Sequence, residues 1–151
     1  MPAVDVTVAT HLAVPRERVA AFAGDPANAP AWYANIRSVR PHGAPVVAVG
    51  ARTDFVAHFL GRELAYTYEI RELLPGRRLV MNTDDGPFPM ETTYTWWDED
   101  GGTGMSLRNR GRPRGVASLG SALLAAAVRR ATGKDLARLR ALLEEQDRDR
   151  P

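Results

Sequence analysis

Three tyrosines, whose hydroxyl groups could do chemistry, recur on the same face of the predicted strands. Tyr66 and Tyr68 alternate with polar residues along one predicted strand, and Tyr94 does so along another. Side chains two positions apart on a strand point to the same side of the sheet. A buried phenol needs a hydrogen-bond partner, which here is another tyrosine, Thr92, Asn109 or a bound ligand. The pattern indicates hydroxyl groups that orient a ligand, or that protonate or orient an enolate in a dry pocket.

Carboxylates are the second group that could do chemistry. Asp54, Glu63, Glu69 and Glu91 fall on the opposite phase of their predicted strands, which is the outer face. General acid or base catalysis needs a titratable group inside the pocket. Tyrosine is therefore the one acid that we expect on the inner face, and this favours binding over catalysis.

Metal and nucleophile chemistry have little support. His11, His42 and His58 lack the spacing of metal ligands, and we expect them to be exposed structural residues. The sequence has no cysteine, which excludes disulfides, thiolate catalysis and cysteine-bound metal. Ser118 and Ser121 lie in a predicted helix rather than in a nucleophile elbow. We predict no metal, no cofactor and no nucleophile-based activity.

The densest positive charge comprises Arg108, Arg110, Arg112 and Arg114. The last two stand at the predicted start of the long helix, where the helix dipole favours an anion, so the cluster either binds an anionic group or forms a solvated face. Nucleic-acid binding is not expected, because no aromatic residues are interleaved with the arginines and the net charge is only +2. Residues 101–104 join two predicted strands and form a hairpin turn rather than a phosphate loop.

The N-terminal elements are a strand followed by two short helices. Residues 4–9 alternate apolar and polar side chains, as in a strand with one buried face. Pro15 ends that strand and suits the start of a helix over 16–23. Asp25, followed by proline, is typical of a second helix start, and Trp32 is expected to anchor the turn back into the sheet.

Six further strands follow, separated by turn signals such as Gly61-Arg62, Pro75-Gly76 and the segments 85–87 and 98–102. The count of strands is therefore seven. The further strands are predicted at residues 36–39, 53–60, 63–73, 78–83, 90–97 and 103–110.

A long C-terminal helix is predicted from residue 112 onward. Apolar residues recur every three or four positions, including Val116, Leu119 and Leu123, and Gly133 is expected to kink or loosen the middle of the helix. We expect one domain over residues 1–146 and a disordered tail at 147–151.

Several motifs along almost the whole chain resemble the START-like (SRPBCC) superfamily and, within it, the polyketide cyclase/dehydrase-like group. The resemblance implies an α+β helix-grip fold, in which a curved seven-stranded antiparallel sheet surrounds the C-terminal helix, with two short helices after the first strand. The motifs are caps, turns and core anchors, so they indicate an architecture rather than a reaction. They are residues 14–19, residues 25–28 with Trp32, Val49-Gly50, residues 75–79, residues 101–103 and residues 139–144.

The resemblance also implies a hollow between sheet and helix that holds a hydrophobic small molecule. The predicted inner face is rich in aromatic residues and methionine, whereas the helix offers the small Ala122, Ala126 and Ala127, an arrangement that leaves room for a ligand. A core in which these side chains interdigitate is the alternative. The predicted ligand-binding residues are Phe55, Phe59, Tyr66, Tyr68, Met81, Met90, Tyr94, Trp96, Leu107, Leu119 and Leu123.

Two functions stay open at this point. The first is a binding or carrier protein for a hydrophobic, lipid-like or polyketide-like molecule. The second, by resemblance, is a cofactor-independent polyketide cyclase or dehydratase that acts in the same cavity. A scaffold with a filled core and a protein partner is a third, more general alternative. The longest apolar run is too short to span a bilayer and no signal peptide is visible, so we expect a cytoplasmic protein, and a homodimer stays open.

Overall fold

Seven strands form a single antiparallel sheet in the order β1-β7-β6-β5-β4-β3-β2. The structure is a computed structural model that describes residues 4–59, 61–83, 89–112 and 120–150, without the side chains of Phe59 and Ser121. The predicted number of strands is confirmed, and the turn expected at 85–87 lies outside the described residues. The strands are β1 (Val4–Leu12), β2 (Ile36–Pro41), β3 (Arg52–Phe59), β4 (Arg62–Leu74), β5 (Arg78–Thr83), β6 (Met90–Glu99) and β7 (Gly102–Gly111).

The connection between β1 and β2 must cross from one edge of the sheet to the other, because β1 pairs with β7 and β2 forms the opposite edge. Two short helices make this connection, as predicted. Helix α1 (Arg16–Ala23) follows Pro15, and a 3₁₀ turn (Pro26–Asn28) leads into α2 (Ala29–Trp32). The Asp25 carboxylate accepts a hydrogen bond from the Ala27 amide at 3.0 Å, which is the expected cap.

Helix α3 (Ser121–Arg148) has 28 residues, which corresponds to about 42 Å. The predicted start near residue 112 is wrong. Gly120 adopts φ +76°, which lies outside the right-handed helical region, so a continuous helix cannot pass through it. Helix α3 begins directly after this residue. Residues 113–119, including Arg114, lie outside the described residues. The helix continues without interruption through Gly133.

The C-terminal end of α3 is held against α1. The helix includes Asp147 and Arg148, which belong to the segment expected to be a frayed tail. Asp147 forms an ion pair with Arg18. In the described part of the chain, no helix is both long enough and apolar enough to cross a membrane.

The main core lies between the sheet, the short helices and the C-terminal half of α3. Trp32 is fully buried there, in agreement with its predicted role as an anchor. A smaller cluster of Val4, Val6, Leu124 and Val128 lies between β1 and the N-terminal half of α3. The main core includes Leu12, Val14, Trp32, Leu79, Trp96, Met105, Leu107, Leu136, Leu139 and Leu143.

Candidate functional site

A cavity of about 150 Å³ lies between the inner face of the sheet and the N-terminal half of α3. Its sheet side contains most of the predicted ligand-binding residues whose side chains are described. Their shared strand phase, read from alternation in the sequence, places them on one wall. These wall residues are Phe55, Tyr66, Tyr68, Met81, Met90 and Tyr94.

The other predicted ligand-binding residues do not line this wall. Trp96 and Leu107 point to the same side of the sheet, but they are buried in the main core next to the cavity. Leu123 is 70% exposed and lies on the outward face of α3. The Phe59 side chain and all of Leu119 lie outside the described residues.

The face of α3 that lines the cavity is rotated about the helix axis, by about one residue, from the face that was predicted. Successive helix residues are turned by about 100°, so Leu124 faces the cavity with 3% exposure while Leu123 faces solvent. Ala122 and Ala126 are exposed as well, and the half-buried Ala127 does not line the cavity, so the predicted alanine wall is wrong. The wall consists of Leu124, Val128, Ala131, Thr132 and Asp135.

Three aromatic rings on β3 and β4 pack against one another at the cavity wall. The Phe55 and Tyr66 rings are nearly parallel, with centroids 6.1 Å apart. Tyr68 meets both of them edge-on, with centroids 5.4 Å from each. Edge-on and offset contacts are favourable arrangements for aromatic rings, and they hold this wall in place.

A pair of hydrogen-bonded tyrosines also lines the cavity. Tyr33, directly after α2, forms a hydrogen bond between its hydroxyl and that of Tyr94 on β6. Burial raises the pKa of both hydroxyls, so both stay protonated at neutral pH. Tyr33 is not among the predicted site residues, because it follows a four-residue helix and belongs to no periodic pattern.

A chain of neutral hydrogen bonds links cavity-lining residues of the sheet to the helix. The Tyr68 hydroxyl lies 3.3 Å from Thr92 Oγ1, which donates to Asn109 Oδ1 at 2.7 Å. Asn109 Nδ2 in turn donates to Thr132 Oγ1 at 3.4 Å. Thr92 is therefore a partner of Tyr68, as the sequence suggested, whereas Asn109 reaches the tyrosine only through Thr92.

Asp135 brings a carboxylate into the cavity. It is only 4% exposed, and its Oδ1 accepts a hydrogen bond from the Ala34 amide at 3.0 Å. Burial raises the pKa of the Asp135 carboxyl to about 6, although the Ala34 amide and the Arg138 guanidinium act to lower it. The expectation that tyrosine is the one acid on the inside is therefore wrong.

Helix periodicity carried the signal for Asp135. The residue lies on the same helix face as Val128 and Leu139, seven positions after the first and four before the second. Two-residue alternation assigns carboxylates to faces only within strands, so it gives no prediction for a carboxylate on the helix.

A family model described as polyketide cyclase / dehydrase and lipid transport matches residues 3–144. The chain belongs to this family. The resemblance drawn from the turns and caps of the sequence is thereby confirmed. Comparison with curated proteins finds no match.

Solved structures share the helix-grip architecture of this family member. The Zhui aromatase/cyclase from Streptomyces sp. R1128 has a TM-score of 0.81 at 16% identity, with 97% of each chain covered. Protein CV1439 from Chromobacterium violaceum has a TM-score of 0.69 at 24% identity, with 93% of this chain and 97% of that chain covered. At these identities the likeness shows the fold, and it confirms the predicted fold class.

The histidines of this family member contact oxygen atoms outside the cavity. His42 Nε2 lies 2.7 Å from Asp54 Oδ1, and His58 Nε2 lies 3.1 Å from Glu63 Oε2. His11 Nε2 lies 2.9 Å from the Glu99 carbonyl oxygen. Within the described ranges, no group of three or more histidine, aspartate or glutamate side chains is arranged to hold a metal ion.

The arginine cluster is split among carboxylate partners. Arg108 donates two hydrogen bonds to Asp5, at 2.8 and 2.6 Å, and Arg110 donates one to Glu91 at 3.2 Å. Arg112 is exposed and precedes α3 rather than lying in its first turn. It therefore does not combine with the N-terminal end of the helix dipole to attract an anion. These contacts favour the solvated face over the anion site.

Proposed function

We propose that this family member binds a small hydrophobic molecule in the cavity between the sheet and α3. The observation that carries the proposal is the cavity itself, whose wall is built mainly from aromatic rings, methionine and aliphatic side chains. Apolar walls with a few placed polar groups are typical of small-molecule sites. The family description, which includes lipid transport, agrees with such a role.

The size of the cavity limits the ligand. An apolar cavity of about 150 Å³ accepts benzene or a molecule of similar size. The cavity here has that volume, so one aromatic ring with a short substituent fits the present side-chain positions. Met81 and Met90 are flexible side chains in the wall, and their rearrangement would admit a larger molecule.

A pair of tryptophan substitutions on neighbouring faces of α3 tests the proposal. Val128→Trp fills the cavity, whereas Leu123→Trp adds the same ring to the exposed face. We expect benzyl alcohol, titrated while the Met81 and Met90 methyl signals are followed by NMR, to bind the wild type and Leu123→Trp equally. Val128→Trp should lose at least about tenfold in affinity, since the added ring occupies the ligand volume. Equal binding by all three proteins would place the ligand elsewhere and refute the proposal.

A second candidate function is catalysis of the cyclase or dehydratase type. The specific observation that favours it is Asp135, a buried carboxylate in the cavity whose pKa of about 6 suits a general base near neutral pH. The Zhui protein, with the same fold, is an aromatase/cyclase. In such a step, Asp135 would take the proton of a C–H bond next to a carbonyl. The electron pair would move to the carbonyl oxygen, and the Tyr94 or Tyr33 hydroxyl would donate a hydrogen bond to it.

Incubation with linear poly-β-ketone mimics distinguishes the two functions. If the protein is an enzyme, turnover by the wild type falls by about 10²-fold or more in Asp135→Asn and measurably in Tyr94→Phe. Glu145→Gln, which removes an exposed carboxylate from the same helix, serves as the control. Binding of the mimic without turnover by any variant would leave the carrier function and exclude this catalytic role.

A further inference from the structure

The described residues of the cavity wall carry negative charge and no positive charge. Among the described lining residues, Asp135 is the one side chain that carries a charge at neutral pH, and none is arginine, lysine or histidine. The other polar groups in the wall are neutral hydroxyls and amides, such as Tyr33, Thr92 and Asn109. A buried carboxylate without a cationic partner is unfavourable, and a partner that brings a positive charge relieves that cost.

The Asp135 carboxylate has hydrogen-bonding capacity left for such a partner. A carboxylate offers about four acceptor positions. In the described part of the chain, its one hydrogen-bond donor is the Ala34 amide. Arg138 stands on the same helix but is exposed and does not line the cavity, so it weakens the negative potential without occupying the site.

The rings around the cavity also suit a positive charge. Phe55, Tyr66, Tyr68 and Tyr94 line the sheet wall of the space that Asp135 borders, and Tyr33 adds a fifth ring from the end of α2. The π face of an aromatic ring attracts ammonium groups, and aromatic cages recognise them in many proteins. The Asp135 carboxylate together with these five rings forms a neutralising and desolvating surface for one ammonium group.

We propose that the natural ligand is a small aromatic amine of the arylalkylamine class, with its ring among Phe55, Tyr66 and Tyr68 and its ammonium group at Asp135. The inference rests on the proposed ligand-binding function and names the ligand class. A carboxylic acid of the same size is disfavoured, because it would place a second negative charge beside Asp135 without a cation in the described wall.

Three probes with the same ring test the proposal in the wild-type protein. Benzylamine is cationic, benzyl alcohol is its neutral counterpart and benzoate is anionic. Titration calorimetry at pH 7.5 should give benzylamine at least about a tenfold advantage over benzyl alcohol, with benzoate weakest. An amine that binds no more tightly than the alcohol would overturn this inference while leaving the proposed function intact. Failure of all three probes to bind would refute both.

Asp135→Asn assigns the effect to the carboxylate, because the asparagine oxygen can still accept the Ala34 hydrogen bond. We expect this variant to lose the amine advantage and to keep its affinity for benzyl alcohol. Glu145→Gln removes an exposed charge from the same helix and should behave as the wild type. An amine advantage that persists in Asp135→Asn would overturn the proposal.

A pH titration of the wild type needs no variant. The groups that face Asp135 are Tyr33, after α2, and Tyr94, on β6, with Arg138 on its own helix. None of these is expected to change its charge between pH 4.5 and 7.5. As the pH falls from 7.5 to 4.5 and Asp135 becomes protonated, the affinity of benzylamine relative to benzyl alcohol should therefore decrease. A ratio of affinities that stays constant over this range would contradict the inference.

Discussion

The two halves of α3 face the same sheet but meet different surroundings. The C-terminal half presents Leu136, Leu139 and Leu143, which are almost completely buried in the main core. The N-terminal half presents Leu124, Val128, Ala131 and Thr132, which line a cavity together with Asp135 at the middle of the helix. Leucine at every third or fourth position fills the space under the helix, whereas smaller or polar residues at the same spacing leave volume. One helix therefore serves as the core in one half and as a site wall in the other.

The sheet shows the same division. Tyr94 lines the cavity, and Trp96, two positions later on the same strand face, lies in the filled core. Within the described structure, the Nε1 atoms of Trp32 and Trp96 are buried without a hydrogen-bond partner. Each such group costs about 1–3 kcal/mol, so the burial of the large rings must offset it. The main core is therefore stabilised by packing, whereas the hydrogen-bonded tyrosines and the chain of neutral hydrogen bonds described above belong to residues that line the cavity.

Leucine-to-alanine substitutions should give the largest difference in the free energy of unfolding between the two halves of α3. Leu139→Ala removes a fully buried side chain from the filled core, and we expect it to lower the free energy of unfolding by ~2–5 kcal/mol. Leu124→Ala should cost less than Leu139→Ala, because part of the Leu124 surface faces a cavity and makes few contacts there. Urea denaturation of both variants measures the difference. Equal losses would indicate that the two halves are packed equally well.

Asp135 should give the cavity half a pH dependence of its own. Its pKa is raised in the folded state, to about 6, above the ordinary value of about 3.9. Between these values the folded state binds more protons than the unfolded state, so this carboxyl makes stability fall as the pH rises from about 4 to about 6. Below that range the Asp135 carboxyl does not change the free energy of unfolding, and above it the carboxyl lowers that free energy by its full amount.

Asp135→Asn removes this contribution. The stability of the variant relative to the wild type should therefore increase through that range, by as much as ~2–3 kcal/mol. Urea denaturation of both proteins at several pH values between 4 and 7 gives the difference directly. Glu145→Gln, on the exposed face of the same helix, is the control for removal of a carboxylate outside the cavity. A flat profile for Asp135→Asn would mean that the carboxyl is well solvated in the folded protein.

Local chemistry was sufficient to predict most of the fold. Pro15 and the Asp25 cap define the short helices, and Gly61 with φ +76° marks the turn between β3 and β4. Strand alternation placed Tyr66, Tyr68 and Tyr94 on one face, because a two-residue period leaves only two choices. These features depend on neighbouring residues, which the sequence displays directly.

The site was harder to predict, because it depends on distant contacts and on helix rotation. Alternation could not show that Tyr94 borders a cavity while Trp96 lies in a filled core. A helix has no two-way choice of face, so predicting Leu123 in place of Leu124 turned the helical wall away from the cavity and hid Asp135. The position of Tyr33 follows from its hydrogen bond to Tyr94, a residue far along the chain.

Leu123→Ala is the smallest expected effect and tests the rotation of α3 directly. Leu123 is 70% exposed, so its removal should change the free energy of unfolding by no more than ~0.5 kcal/mol. Leu124→Ala, the neighbouring substitution, removes a side chain with 3% exposure and should have a clearly larger effect. Urea denaturation of the two variants under the same conditions makes the comparison. A loss at Leu123 that equals or exceeds the loss at Leu124 would mean that Leu123 faces the interior, and the assignment of Leu124 and Asp135 to the cavity wall would then fail.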